Sequence, residues 1–165
     1  MKNGHIIAFI AAIFTLVSAP VAAQQGASAQ QGKAIETSGD VKVVKTVTSD
    51  AGDVQTVLVD PDIVTPGDRL RFRTEYTNVS DELVENFVMT RPLNSALRLV
   101  PGDNGGAQLS VDDGQTYGSI GELTVKTEDG AVRPATESDV THLRWTVPQI
   151  EAGATGEIIF HVIIR

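Results

Sequence analysis

Three arginines at alternate positions, Arg69, Arg71 and Arg73, form the most concentrated basic feature of a chain that is otherwise acidic. In a β-strand, a period of two puts all three on one face. The planar fork of a guanidinium suits a carboxylate, a phosphate or an anionic sugar, so the row is a candidate binding site. The same alternation is expected of an ordinary half-exposed strand whose arginines pair with Glu82, Glu85 or nearby aspartates. Both readings stand on the sequence alone.

Other chemistry is sparse. The chain has no cysteine, which excludes disulfides, thiolate catalysis and cysteine-based zinc sites. Downstream of residue 23 there are two histidines, His142 and His161. Each alternates out of phase with its apolar neighbours and so is expected at the surface, and two histidines cannot complete a catalytic zinc site without carboxylate help. Acidic clusters occur at Asp60, Asp62 and Asp68, at Asp103 with Asn104, and at Asp112 with Asp113. None has the EF-hand spacing, and Asp and Asn are ordinary turn residues. No metal and no cofactor is expected. No nucleophile elbow, phosphate loop or dinucleotide fingerprint is present. A pair of carboxylates for hydrolysis is the enzymatic option left open, because their spacing is spatial rather than sequential; the expectation is a protein that is not an enzyme. Asn78-Val79-Ser80 fits the glycosylation acceptor pattern, a tripeptide of little information.

One motif has a defined mechanical role. Ser110-Val111-Asp112-Asp113-Gly114-Gln115-Thr116-Tyr117 matches the Asp-box pattern and resembles the hairpins of sialidases and other β-propellers. In such a box the Asp side chain ties down turn amides, the Gly permits positive φ and the aromatic packs beneath. It occurs here once, whereas a propeller repeats about four to eight blades. The box is therefore expected to be a stiff turn.

The elements that must position these residues read as strands. Turn chemistry recurs every ten residues or so, and nine strands are expected: Val41–Thr48, Val54–Val59, the central stretch within Val64–Ser80, Leu83–Thr90, Ala96–Val100, Ala107–Val111, Gly121–Thr127, Thr141–Val147 and Gly156–Ile164. Val132–Asp139 reads as loop. In the central stretch Leu70, Phe72, Thr74 and Tyr76 share the core face, opposite the arginines, and Pro66-Gly67-Asp68 launches the strand. The last strand is apolar on both faces, with Ile159 and Ile163 opposite Ile158, Phe160, Val162 and Ile164. Such a strand is either covered, by a neighbouring strand or the loop around Val132, or available for self-association.

Ahead of the strands, Lys2 and the apolar run Ile6–Val17 end in small residues through Ala23, the pattern of a signal peptide over residues 1–23, with cleavage after Ala23 or after Ala29. The run is short for a membrane span, which needs about 20 apolar residues. Residues 24–39 read as a flexible linker, its first ten small and polar, and 40–165 as one domain. The chain carries a net charge of −8; loss of Lys2 with the leader takes it to −9. Phosphate backbones repel such a chain, so nucleic acid is not an expected partner.

Several segments together resemble the bacterial conserved-repeat family (domain of unknown function eleven). They are Val64-x-Pro66-Gly67-Asp68-x-Leu70-x-Phe72 and Tyr76-x-Asn78-x-Ser80, then Phe87-Val88-Met89-Thr90-x-Pro92-Leu93, Ser110–Tyr117, and Trp145-x-Val147 with Ile150-x-Ala152-Gly153. Thr90-Arg91-Pro92-Leu93 departs from the family pattern, lacking its Asp and inverting its Leu-Pro order. The resemblance implies an all-β, Ig-like antiparallel sandwich of about seven to nine strands, used in exported or surface proteins, with no catalytic residues to carry over. The functional expectation is a periplasmic or extracellular module of the cell envelope, binding or structural, whose partner is another envelope protein or a polysaccharide. A self-assembling subunit joined through its C-terminal strand is the alternative.

Overall fold

The computed structural model describes residues 34–165. The expected leader, residues 1–23, and the first part of the expected linker lie outside the described residues. The rest is an antiparallel β-sandwich of the expected all-β class. Its strands are β1 (Ile35–Thr48), β2 (Val54–Val59), β3 (Arg69–Asn78), β4 (Val84–Pro92), β5 (Leu97–Leu99), β6 (Gln108–Ser110), β7 (Thr124–Lys126), β8 (Val132–Pro134), β9 (His142–Ile150) and β10 (Thr155–Ile164). A five-stranded sheet ordered β2-β1-β3-β10-β5 packs on a three-stranded sheet ordered β4-β9-β6, and β7 and β8 form a small ladder of their own.

Strand β3 is central in the larger sheet because its inward face carries the expected core residues. Leu70 and Thr74 are buried, and Phe72 and Tyr76 pack against the core. Phe160 of β10 stacks on Phe72 with ring centroids 5.0 Å apart and meets Trp145 of β9 at 5.4 Å, which joins the sheets through aromatic contact. Leu143, Trp145 and Val147 share a face as expected, the first two fully inside. Towards the end of this sheet the phase changes. Val84 and Ile150 point inward, yet so do Phe87 and Met89. The switch falls at Asn86, whose φ is +52°, opposite Pro148, which has no N–H to give the ladder.

Three boundaries differ from the sequence reading. β1 begins at Ile35, so residues 35–39, expected as linker, are strand. Ile-Glu-Thr-Ser-Gly-Asp carries too little apolar alternation to be read locally, but it pairs with β3 throughout, from Ile35 opposite Asn78 to Asp40 opposite Arg73. Val132–Pro134, read as loop, pairs with β7, a ladder too short and exposed to leave a periodic signal. The stretch expected as a strand from Gly121 is shortened by a 3-10 turn at Ile120–Glu122. Ten strands result among the described residues, where nine were expected.

The launching turn is as expected. The Asp68 carboxylate accepts the Thr65 N–H at 2.8 Å, and Gly67 takes φ +97°. Gly67 N–H also donates to the carbonyl of Ile164, which fastens the turn to the end of β10.

Candidate functional site

The three arginines lie together on the outer face of the larger sheet, and strand register decides what each one meets. Arg73 is opposite Asp40 of β1 and Ile159 of β10. It donates to Glu157 and Glu75, each at 2.7 Å, with Asp40 at 3.8 Å. Glu157 first, and then Glu75, raise its pKa further. Arg69 lies between Val44 and Ile163 and donates to Asp103 at 2.5 Å. Arg71 differs. Among the described residues its side chain makes no hydrogen bond or ion pair. It sits between Lys42 of β1 and His161 of β10, so one row across three strands reads Lys42, Arg71, His161.

The flanks of that row are anchored from outside it. Lys42 bonds Asp60 at 2.5 Å, a pairing that raises the lysine pKa. His161 Nδ1 lies 2.9 Å from Asp103 but without the alignment of a hydrogen bond, and that nitrogen is buried, as is Arg69 Nε. Asp103 thus bonds Arg69 and lies beside His161. The carboxylates that neutralise the arginine row come from β1, β3, β10 and the loop after β5. Glu82 and Glu85, the partners considered from sequence, are elsewhere: the Glu82 carbonyl binds Asn78, and Glu85 is on β4 opposite Gln149. Asp40, Asp103 and Glu157 could not be found from sequence, because only register brings them to this face.

The loop carrying Asp103 is itself fixed. Its backbone follows the free side of β10, with Val100 N–H donating to the His161 carbonyl and His161 N–H to the Asp103 carbonyl. Asn104 accepts the Trp145 indole N–H at 3.2 Å. Gly105, at φ +61°, passes so close to the Ile159 carbonyl that a Cβ would overlap it. β10 is therefore an interior strand, flanked by β3 on one side and by β5 and this loop on the other. Both of its edges are therefore paired, while on its faces Ile158, Phe160 and Val162 are buried and Ile159 and Ile163 stay half-buried on the outer side, beside Arg73 and Arg69.

The Asp-box behaves as its chemistry requires. Asp112 accepts from Ser110 Oγ at 2.7 Å, from Thr116 Oγ1 at 2.6 Å and from the N–H groups of Gln115 and Thr116. The two Thr116 bonds, then Ser110, hold its carboxyl down at about 2. Tyr117 lies against Gly114, and the Arg144 guanidinium stacks 3.5 Å over the Tyr117 ring. Every oxygen of Asp112 is occupied by this turn, and its role is mechanical.

The remaining candidates are dispersed. His142 is on β9 and His161 on β10, in different sheets. Among the described residues no group of three or more His, Cys, Asp or Glu is placed to hold a metal ion. A cleft of about 460 Å³ between Leu109, Tyr117, Ile120, Glu122 and Glu137 is lined by none of the three arginines, and its Glu122 is bound to Ser119. Asn78 is fully buried, with both amide hydrogens used, so the acceptor tripeptide is closed in the folded chain. No protein-family model, no curated protein and no solved structure matches this chain.

Proposed function

We propose that this chain is an exported, non-catalytic binding module of the cell envelope, and that its ligand is a carboxylate-bearing polysaccharide held at Arg71. The single observation that carries the reading is that Arg71, alone of the three arginines, has no carboxylate partner among the described residues, while Lys42 and His161 flank it in register. A planar fork with its donors unused is what a glycan carboxylate would engage in two parallel hydrogen bonds. The signal-peptide pattern and the resemblance to the conserved-repeat family support export and an envelope location. The separation of the histidines and the structural duty of Asp112 support a role without catalysis.

Titration of the exported chain with polygalacturonate, by calorimetry at low salt, tests this. Binding that weakens at least tenfold in Arg71→Ala, with the melting temperature unchanged, is the expected result. Arg73→Ala has a smaller effect, since that guanidinium is already engaged. Equal binding by wild type and Arg71→Ala removes the row from consideration. N-terminal sequencing of the exported protein is expected to begin at Gln24.

A further inference from the structure

The sandwich closes its strand edges in several ways, and among the described residues one edge is left open. β5 and β6 are three residues long. β6 is further covered by Gly118, which exchanges two 2.9 Å backbone hydrogen bonds with Leu109. β4 is kinked at Asn86 and ends in Arg91-Pro92. β7 and β8 are short, and β8 carries Arg133 and Pro134. Short strands, kinks, charges and prolines are the usual means by which a sheet avoids pairing with another chain.

β2 has none of them. Val-Gln-Thr-Val-Leu-Val contains no charge, proline or glycine, and it is the outermost strand of the larger sheet. β3 reaches only as far as Val44 of β1, while β2 pairs with β1 from Val43 to Thr48. The outer half of this hairpin therefore projects past the body as two strands, with Val54 68% exposed and Val47 44%, and at its base Leu58, opposite Val44, is 45% exposed. A two-stranded ribbon is marginal in water, and a third strand is what stabilises one. The ladder fixes which groups are free. Ser49 N–H donates to the Asp53 carbonyl, so alternation turns the amides of Gln55, Val57 and Val59 towards β1 and those of Val54, Thr56 and Leu58 outward.

We infer that β2 receives an extended segment of a partner protein as an added strand, apolar at alternate positions and flanked by Lys or Arg. The edge supplies backbone hydrogen bonds, and Val54 and Leu58 supply apolar contact. The charge of the flanks selects the occupant. Asp50 and Asp53 stand at one end of the strand, and Asp60 and Asp62 at the other. A basic-flanked segment complements both ends. Antiparallel pairing with a second copy would instead bring Asp50 and Asp53 of each chain towards Asp60 and Asp62 of its mate, in a chain of net charge −8. Arg71 is not on this edge, although Asp60 at its end is bound to Lys42 of the Arg71 row, and the test by backbone exchange does not depend on the glycan reading.

The probe is a synthetic peptide, Lys-Lys-Val-Thr-Val-Thr-Val-Lys-Lys, with the same peptide flanked by glutamates as control, followed by amide hydrogen exchange in the exported chain. The expected result is at least tenfold slower exchange at Val54, Thr56 and Leu58 with the basic peptide alone. Thr56→Pro, which removes only an outward N–H, abolishes this while the amides of Gln55, Val57 and Val59 stay protected. Absence of protection, equal protection by the acidic peptide or persistence in Thr56→Pro overturns the proposal. So does concentration-dependent dimerisation of the chain without peptide that slows the same three amides.

Discussion

The side-chain amide of Asn78, the last residue of β3, donates to the carbonyl of Ile150, the last residue of β9, at 2.9 Å, and so ties the two sheets together. The same nitrogen reaches the Glu82 carbonyl at 2.7 Å, while Oδ1 accepts from the Ser80 N–H and hydroxyl. One buried side chain closes the β3–β4 turn and pins it to the opposite sheet. Asn78→Ala takes the side-chain partner from the Ile150 carbonyl and the Ser80 N–H, while the Glu82 carbonyl keeps Ser80 Oγ at 3.2 Å, and is expected to cost about 1–3 kcal/mol. Urea unfolding of the two forms measures it, as a fall in midpoint with the slope unchanged. The folded chain is expected to remain unglycosylated at Asn78 in a glycosylating host.

Gly156 lies directly under the ring of Tyr76, where a Cβ would overlap the phenol. Gly156→Ala is expected to destabilise by about 1–3 kcal/mol, the range for an overpacked site. Combined with Tyr76→Leu, the loss is expected to be smaller than the sum of the two single losses, because the clash is between these two side chains. A thermal-unfolding double-mutant cycle reads the coupling.

Trp145 is the single tryptophan of the chain and is 4% exposed, so fluorescence reports one site. Gly105→Ala forces the loop off the Ile159 carbonyl and, with it, Asn104 off the indole N–H. The expected outcome is a red-shifted emission maximum in the folded state, together with a lower unfolding midpoint. An unshifted spectrum would show that the loop absorbs the Cβ without moving.

Asp112 gives stability a defined pH dependence. Its folded pKa is depressed from 3.8 to about 2, so its contribution is fully present above the unfolded value and is lost as pH falls through that interval. Asp139, held low chiefly by Arg133, and Glu122 and Asp129, held low chiefly by Ser119 and Thr127, act in the same direction. Asp112→Asn is therefore expected to flatten the fall of the melting temperature between pH 4 and pH 2 without abolishing it. Thr116→Ala, which removes the hydroxyl bond that lowers this pKa most but keeps the backbone N–H at that position, is expected to flatten it by less.

Local chemistry alone determined the all-β class, the inward set Leu70, Phe72, Thr74 and Tyr76, the Pro66-Gly67-Asp68 launch and the stiff Ser110–Tyr117 turn. Each depends on a period of two or on a residue's own turn preference, and both are complete within a few neighbouring residues. Tertiary structure decided everything that depends on register. It made a strand of Ile35–Asp40 by laying that polar stretch along β3, and it placed the C-terminal strand inside the sheet. It also divided three arginines that look alike in sequence, giving Arg69 to Asp103 and Arg73 to Glu157 and Glu75 while leaving the Arg71 side chain unpaired among the described residues. The carboxylates that make this difference come from as far as 84 residues along the chain, and no local pattern of charge could have announced them.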